Sequence, residues 1–255
     1  MTSAERVVAA VMHQQPDRVP FILPVMLHGA KLLGLSLRDY FSSAEAIADA
    51  QIRLQRRYGH DAIVALTHAS IEHEAWGGST LFFDDGPPNA GVPVLRTRDD
   101  IRAMRQPVIE ECAGLQRMLT AIRLMKRELG DTVPITGAIV APNSVPVMQL
   151  GFERYLNLVL EDREGYAELM AHNEAFAVRW ANAQLEAGAA NIVYFDPVSS
   201  PTVMPRAIYR ETGWPVARRM IAAIKSPVLV GLASGRATPI LDDAPSKARY
   251  WTATP

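Results

Sequence analysis

Apolar residues recur along this chain in two alternating rhythms. Ile47, Ala50, Leu54 and Tyr58 follow at gaps of three and four and stop at Gly59, the spacing of one helix face closed by a residue that tolerates a left-handed cap. Asp61 to Leu66 (DAIVAL) then reads as a buried strand with one acid at its start. Leu115, Leu119, Ile122, Met125 and Leu129 repeat the helical spacing up to Gly130, and Val133 to Val140 (VPITGAIV) repeats the strand. Tyr166, Leu169, Asn173, Phe176 and Trp180 share one face of a long helix ended by Gly188, ahead of a strand at Asn191 to Asp196 (NIVYFD). Pro215 opens a last long helix through Ile224, and the apolar run Pro227 to Ala233 supplies its strand. Thr2-x-x-Glu5 and Ser42-x-x-Glu45 read as capping boxes that start helices.

With Pro20 to Met26 (PFILPVM) there are five expected strands, each followed by helical sequence. That alternation predicts an α/β fold, a parallel sheet covered by helices. The strands begin near residues 20, 61, 133, 191 and 228, a repeat of about 50 residues, so a closed eight-stranded barrel would need roughly 350 to 400. Two architectures fit: an open doubly wound sheet, or a (β/α) barrel of which about five units are present. No Gly-x-Gly-x-x-Gly or Walker-type loop follows a strand, which removes the usual reason to prefer a nucleotide-binding open sheet. The expected division is residues 1–243 as the barrel-like part and 244–255 as an irregular tail without a strand signal.

Charge narrows the partners. Lysine and arginine number 26 against 27 acids, a net charge of -1, so nothing electrostatic points to nucleic acid or an anionic membrane. The apolar runs fall short of the roughly 20 residues that span a bilayer. The N-terminus carries no cationic export signal. Cys112 is the single cysteine, which excludes an internal disulfide and a cysteine-based zinc knuckle. The expectation is a cytoplasmic protein with a small-molecule ligand.

In either architecture the ligand site belongs at the carboxyl ends of the strands. Those positions are Leu27-His28-Gly29, Leu66-Thr67-His68, Ala141-Pro142-Asn143-Ser144, Asp196-Pro197-Val198-Ser199 and Ala233-Ser234-Gly235-Arg236. Asp196 ends an apolar strand, where an ionised carboxylate needs a donor, a metal or solvent; a helix cap is the competing reading. His28 and His68 could serve as acid, base or ligand because imidazole titrates near neutrality, or could be partner-bound structural histidines. Glu72, His73 and Glu74 in IEHEAWGG resemble a metal cluster, but alternate residues share a face only on a strand, so no metal is assigned.

Five segments, ERVVAAVMHQQPDRVPF, RRYGHDAIV, EHEAWGGSTLFFDDGPP, LEAGAANIVYFDPVSSPTVMPRAIYRE and VLVGLASGRATPILDD, together resemble the uroporphyrinogen decarboxylase superfamily. That superfamily also holds the zinc-dependent corrinoid methyltransferases. The resemblance spans about residues 5 to 243 and implies the (β/α)8 barrel. The decarboxylase branch carries an arginine-rich segment after its first strand; here that stretch is MLHGAKLLG, without arginine, and Met148 stands near the point of the branch's tyrosine. The methyltransferase branch is the better match. It ends the last recognised strand with His-x-Cys-Gly, whose side chains bind zinc; here the positions are Leu232-Ala233-Ser234-Gly235, so the zinc ligands are absent.

What the resemblance implies is methyl transfer between a methylated corrinoid of the methylcobalamin type, free or on a corrinoid protein, and a small acceptor, or demethylation of a small methylated substrate. Asp196 would orient the substrate, Ser234 would occupy the former metal position, and His28 and Asn143 would line the mouth with His68, Ser199 and Arg236. Tetrapyrrole decarboxylation and a non-catalytic truncated homologue stay open as alternatives. The exposed edges of an open five-stranded arc further suggest a homodimer.

Overall fold

The computed structural model describes residues 1–65, 68–84, 86–200 and 202–225, together with the backbone of strands 228–232 and 248–252. The N-terminal part comprises α1 (Ser3–Val11), α2 (His28–Leu33), α3 (Leu37–Ser42), α4 (Ala44–Tyr58), β1 (Ile63–Ala65) and α5 (Ser70–Ala75). A small antiparallel hairpin, β2 (Thr80–Leu81) and β3 (Asn89–Ala90), leads to α6 (Arg98–Arg102), α7 (Ala113–Leu129) and β4 (Ile135–Val140). Then come α8 (Pro146–Leu150), α9 (Phe152–Glu161), α10 (Arg163–Glu186), β5 (Asn191–Phe195), α11 (Arg206–Glu211), α12 (Gly213–Ala223), β6 (Val228–Leu232) and β7 (Ala248–Thr252).

The main sheet runs β1-β4-β5-β6-β7, and every neighbouring pair is parallel. Apart from the hairpin, each strand lies beside the one before it in the chain. A doubly wound sheet reverses its order at a switch point; this sheet advances in one direction, as the wall of a (β/α) barrel does. β4 is buried at all six positions, as a strand covered on both faces must be.

Local signals place the long helices. Thr2 and Glu5 form the expected capping box on α1. Gly59 ends α4 in the left-handed conformation, and the apolar face of α7 from Leu115 to Leu129 is buried. The α10 face is buried at Tyr166, Leu169, Asn173, Phe176 and Trp180. Asn173 is tolerated there because it exchanges two hydrogen bonds with Gln149, at 2.9 and 3.0 Å.

Three expectations need correction. Residues 20–26 form no strand. Pro20 and Pro24 have no N–H for a ladder, and the Phe21 N–H is taken by the Asp61 carboxylate at 2.8 Å. The cap of α4 is Ser43, not Ser42: its side chain accepts from the Ala46 N–H, while Ser42 closes the preceding α3. The stretch read as an irregular tail contains β7, which pairs in register with β6 from Ala248 opposite Val228 to Thr252 opposite Leu232. Tyr250, Trp251 and Thr252 are strand formers. Five parallel strands result either way, with the first expected one replaced by the last observed.

Asp61 lies just before β1 and is fully buried. It binds Arg6 at 2.6 Å, Arg18 at 2.7 Å and Ser3 at 2.9 Å, and Arg6 also grips Asp17 at 2.6 Å. This charge cluster ties α1 and the 17–21 segment to the amino end of the sheet. Removing one member would strand a buried charge.

Candidate functional site

At the carboxyl ends of β4 and β5 the chain builds one continuous polar network. Asp196 follows β5 directly and is 1% exposed. Its Oδ1 accepts from the Ser144 hydroxyl at 2.7 Å and its Oδ2 from the Ser199 hydroxyl at 2.5 Å. Asn143 Nδ2 donates to Ser199 Oγ at 2.9 Å, and the Val198 N–H donates to Ser144 Oγ at 3.1 Å. Tyr155 and Tyr166 each present their hydroxyl to Asn143 Oδ1, at 2.6 and 3.0 Å.

The proton directions in this network are determined by chemistry. An amide Nδ2 and a backbone N–H can only donate, so Ser199 and Ser144 each have a lone pair taken. Their own protons are then free for the carboxylate. Donors run toward Asp196 from Asn143 through Ser199 on one side and from Val198 through Ser144 on the other, while the single Tyr155 proton is shared between Asn143 Oδ1 and the Asn143 carbonyl 2.7 Å away. Burial raises the Asp196 pKa, and the hydrogen bonds from Ser199 and Ser144 oppose that rise. Burial also raises the Tyr155 hydroxyl well above its ordinary value, so it remains a donor at any physiological pH.

Backbone geometry explains why these groups meet. The Ala141 N–H donates to the Phe195 carbonyl at 2.8 Å, which places the Asn143-Ser144 turn beside the short 3-10 turn Pro197–Ser199. Gly213, at the start of α12, closes the network from above. A methyl group there would stand 2.8 Å from Asn143 Nδ2 and 2.6 Å from the Tyr209 ring.

Of the residues expected from sequence, the structure therefore brings together Asp196, Asn143 and Ser199. It adds Ser144, Tyr155 and Tyr166. Tyr166 is visible in the sequence only as one of the apolar-face positions of its helix, and Tyr155 carries no sequence signal. His68 sits elsewhere, at the exit of β1, two strands from Asp196. Its Nδ1 meets Ser70 Oγ at 2.8 Å, and its ring stands edge-on to Phe41 and Phe82. Burial and the nearby Arg117 charge lower its pKa to about 4. His28 is exposed at the start of α2, and its imidazole makes no hydrogen bond to the network. Ser234 and Arg236 lie outside the described residues.

Glu72, His73 and Glu74 stand on α5 and diverge. Glu72 reaches the Val140 N–H at 2.8 Å, His73 packs on Gly78, and Glu74 lies beside Gly114. Among the described residues no group of three His, Cys, Asp or Glu side chains could hold a metal ion. A cavity of about 350 Å³ lies at the opposite end of the strands, between α1 and the starts of β4 and β5.

The family model described as uroporphyrinogen decarboxylase (URO-D) matches residues 2–250. The chain belongs to the uroporphyrinogen decarboxylase family. A uroporphyrinogen decarboxylase of Syntrophotalea carbinolica is 29% identical over 186 residues, covering 71% of this chain and 52% of that protein. A methylcobamide:CoM methyltransferase, MtbA, of Methanosarcina acetivorans is 22% identical over 228 residues, 88% of this chain and 67% of that protein. The chain thus spans about half the length of the first of these family members. Among solved structures, a methyltransferase from Methanosarcina mazei superposes with a TM-score of 0.81 at 20% identity, over 92% of this chain and 71% of that one. That likeness assigns the barrel-type fold of the family to the five-stranded sheet. No helix among the described residues is long and apolar enough to cross a membrane.

Proposed function

We propose that this uroporphyrinogen decarboxylase family member serves corrinoid-dependent methyl transfer to or from a small molecule, with its site at the carboxyl ends of the strands. The observation that carries this reading is the Asp196 network. Both oxygens of a buried carboxylate are filled by hydroxyls whose protons are directed to it, so Asp196 holds the turns after β4 and β5 in fixed relation. Its role is that of a positioning residue beneath the mouth. Substrate contact falls to other residues, with His28, exposed at the start of α2, and Ser234 and Arg236 as candidates. Support also comes from the arginine-free MLHGAKLLG segment and from the methyltransferase relatives.

A methylated corrinoid supplies an electrophilic methyl group. The chain's part is to present an acceptor in line with it and to exclude water, a contribution of orientation rather than of acid–base chemistry. A corrinoid protein as the carrier and a homodimer as the assembly belong to the same proposal. Zinc does not, since Leu232 and Ser234 stand where the resembled branch has its first ligands.

The test is binding of methylcobalamin, followed by its visible spectrum, and methyl transfer to a small thiol. Asp196→Asn keeps the size of the side chain but replaces one acceptor with a donor facing a hydroxyl. The expected result is at least tenfold weaker binding with a retained fold, and unchanged binding would remove Asp196 from this role. A second reading, decarboxylation of a tetrapyrrole, is favoured by the higher identity to decarboxylases, 29% against 22%. Release of carbon dioxide from uroporphyrinogen without any methyl transfer would select it.

A further inference from the structure

The exit of β4 is pinned on two sides. Toward β5, the Ala141 N–H is held by the Phe195 carbonyl, the residue before Asp196. Toward β1, the described pairing runs from Ile63 opposite Ile135 to Ala65 opposite Gly137. Two side chains hold the following N–H groups of β4: Gln184 at Ala138 and Glu72 at Val140. Glu72 Oε1 accepts the Val140 N–H three residues before Asn143, and the side chain is 1% exposed.

We infer that Glu72 is a positioning residue for the Asn143–Asp196 network, acting as a neutral, proton-bearing acid that clamps the β4 exit from the β1 side. The inference rests on the reading of that network as the floor of the functional site.

The surroundings of Glu72 are those of a neutral acid. The Val140 N–H and the Trp180 indole are the donors that act on this buried carboxyl, few for a full negative charge held away from water. Burial pushes its pKa up to about 8, against the Val140 N–H and the Trp180 side chain, which lower it. Among the described residues no ionised group acts on it from α7, α8, β2 or β3, the elements packed on α5, or from α10. On its own helix, His73 is turned onto Gly78 and Glu74 toward Gly114.

The sign of the pH effect follows from linkage. When the β4 exit opens, Glu72 meets water and its pKa returns to the ordinary value of 4.5. Between that value and about 8 the closed state keeps a proton that the open state releases. Opening is therefore favoured as pH rises, by up to about tenfold per pH unit, and becomes level once both states are ionised. Glu72→Gln keeps the acceptor for Val140 and cannot ionise.

The experiment is amide hydrogen exchange of the 138–145 segment in the full chain from pH 5 to 9, corrected for intrinsic rates, with methylcobalamin affinity measured in parallel. The wild type should lose protection progressively up to about pH 8, and Glu72→Gln should lack that component. The buried histidines are held below their ordinary 6.5, so above about pH 7 they carry no proton in either state and the loss there belongs to Glu72. Trp180→Phe, which removes a group that eases the charge, should extend the loss to higher pH. Identical pH profiles for wild type and Glu72→Gln, or a Trp180→Phe profile unmoved or shifted downward, overturn the inference. If methylcobalamin binds at no pH, the methyl-transfer reading fails by itself, while the exchange profiles still decide the role of Glu72.

Discussion

Gln184 holds both backbone groups of Ala138: its Oε1 accepts the N–H and its Nε2 donates to the carbonyl, each at 2.9 Å. A side chain from α10 thereby acts as a short stretch of strand in the middle of the sheet. Gly137 makes this approach possible, since a methyl group there would stand 2.7 Å from Gln184 Oε1. Gln184→Leu should leave two buried backbone groups unpaired and cost about 2 to 4 kcal/mol. Urea unfolding is the check, with a lower midpoint at unchanged slope.

Gly213 gives a sharper contrast. It is the first residue of α12, where alanine would ordinarily favour the helix by about 1 kcal/mol. Packing opposes that, because the added methyl group meets the Tyr209 ring and the Asn143 amide. The expected net effect of Gly213→Ala is a loss of about 1 to 3 kcal/mol, with weaker methylcobalamin binding. A stabilised protein with unchanged binding would show that α12 does not press on the network.

Strong acid should act on the Asp61 cluster. Burial raises the Asp61 pKa, but the Phe21 N–H, Arg18, Ser3 and Arg6 outweigh it and hold the carboxyl below its ordinary 3.8. Its contribution is present above about pH 4, the unfolded value, and is lost as pH falls through the folded one. Asp61→Asn should cost about 3 kcal/mol at neutral pH and flatten the steepest part of the acid limb, as seen in melting temperature between pH 2 and 5.

The buried histidines act at milder pH. Burial lowers His60 and His73, and burial with the Arg117 charge lowers His68 to about 4. Each takes up a proton less readily in the folded protein than in the unfolded chain, where imidazole titrates near 6.5. Stability should therefore fall as pH drops below 6.5, and for His68 the loss amounts to about 2 kcal/mol by pH 5. Imidazole proton resonances followed by NMR should show His68 still neutral at pH 5. A His68 titration near 6.5 would mean that its aromatic enclosure is open to water.

The long helices and the central strands were legible in the sequence because their signals are local. A run such as Leu115 to Leu129 carries its own periodicity and its own glycine stop, and no distant residue is needed to make it a helix. The strand ends were legible as a set of positions, which is why Asp196, Asn143 and Ser199 could be singled out before their contacts were known. Their resemblance to one family was likewise a property of the linear chain.

Other features depended on contacts between distant segments. Pro20 to Met26 is as apolar as a strand, but the Phe21 N–H goes to Asp61, forty residues away. Asp61 reads in sequence as an acid at a strand start, yet its role is set by Arg6 and Arg18, which converge on it only in the fold. Glu72 is one of three titratable residues whose spacing was uninformative until α5 proved to be a helix, with Glu72 on the Val140 N–H, His73 buried against Gly78 and Glu74 beside Gly114. By itself the sequence determined the α/β alternation, the family and the rim on which the polar residues gather. Tertiary structure alone decided which of them touch, because a buried polar group is defined by the partner it finds and that partner arrives from another strand or helix.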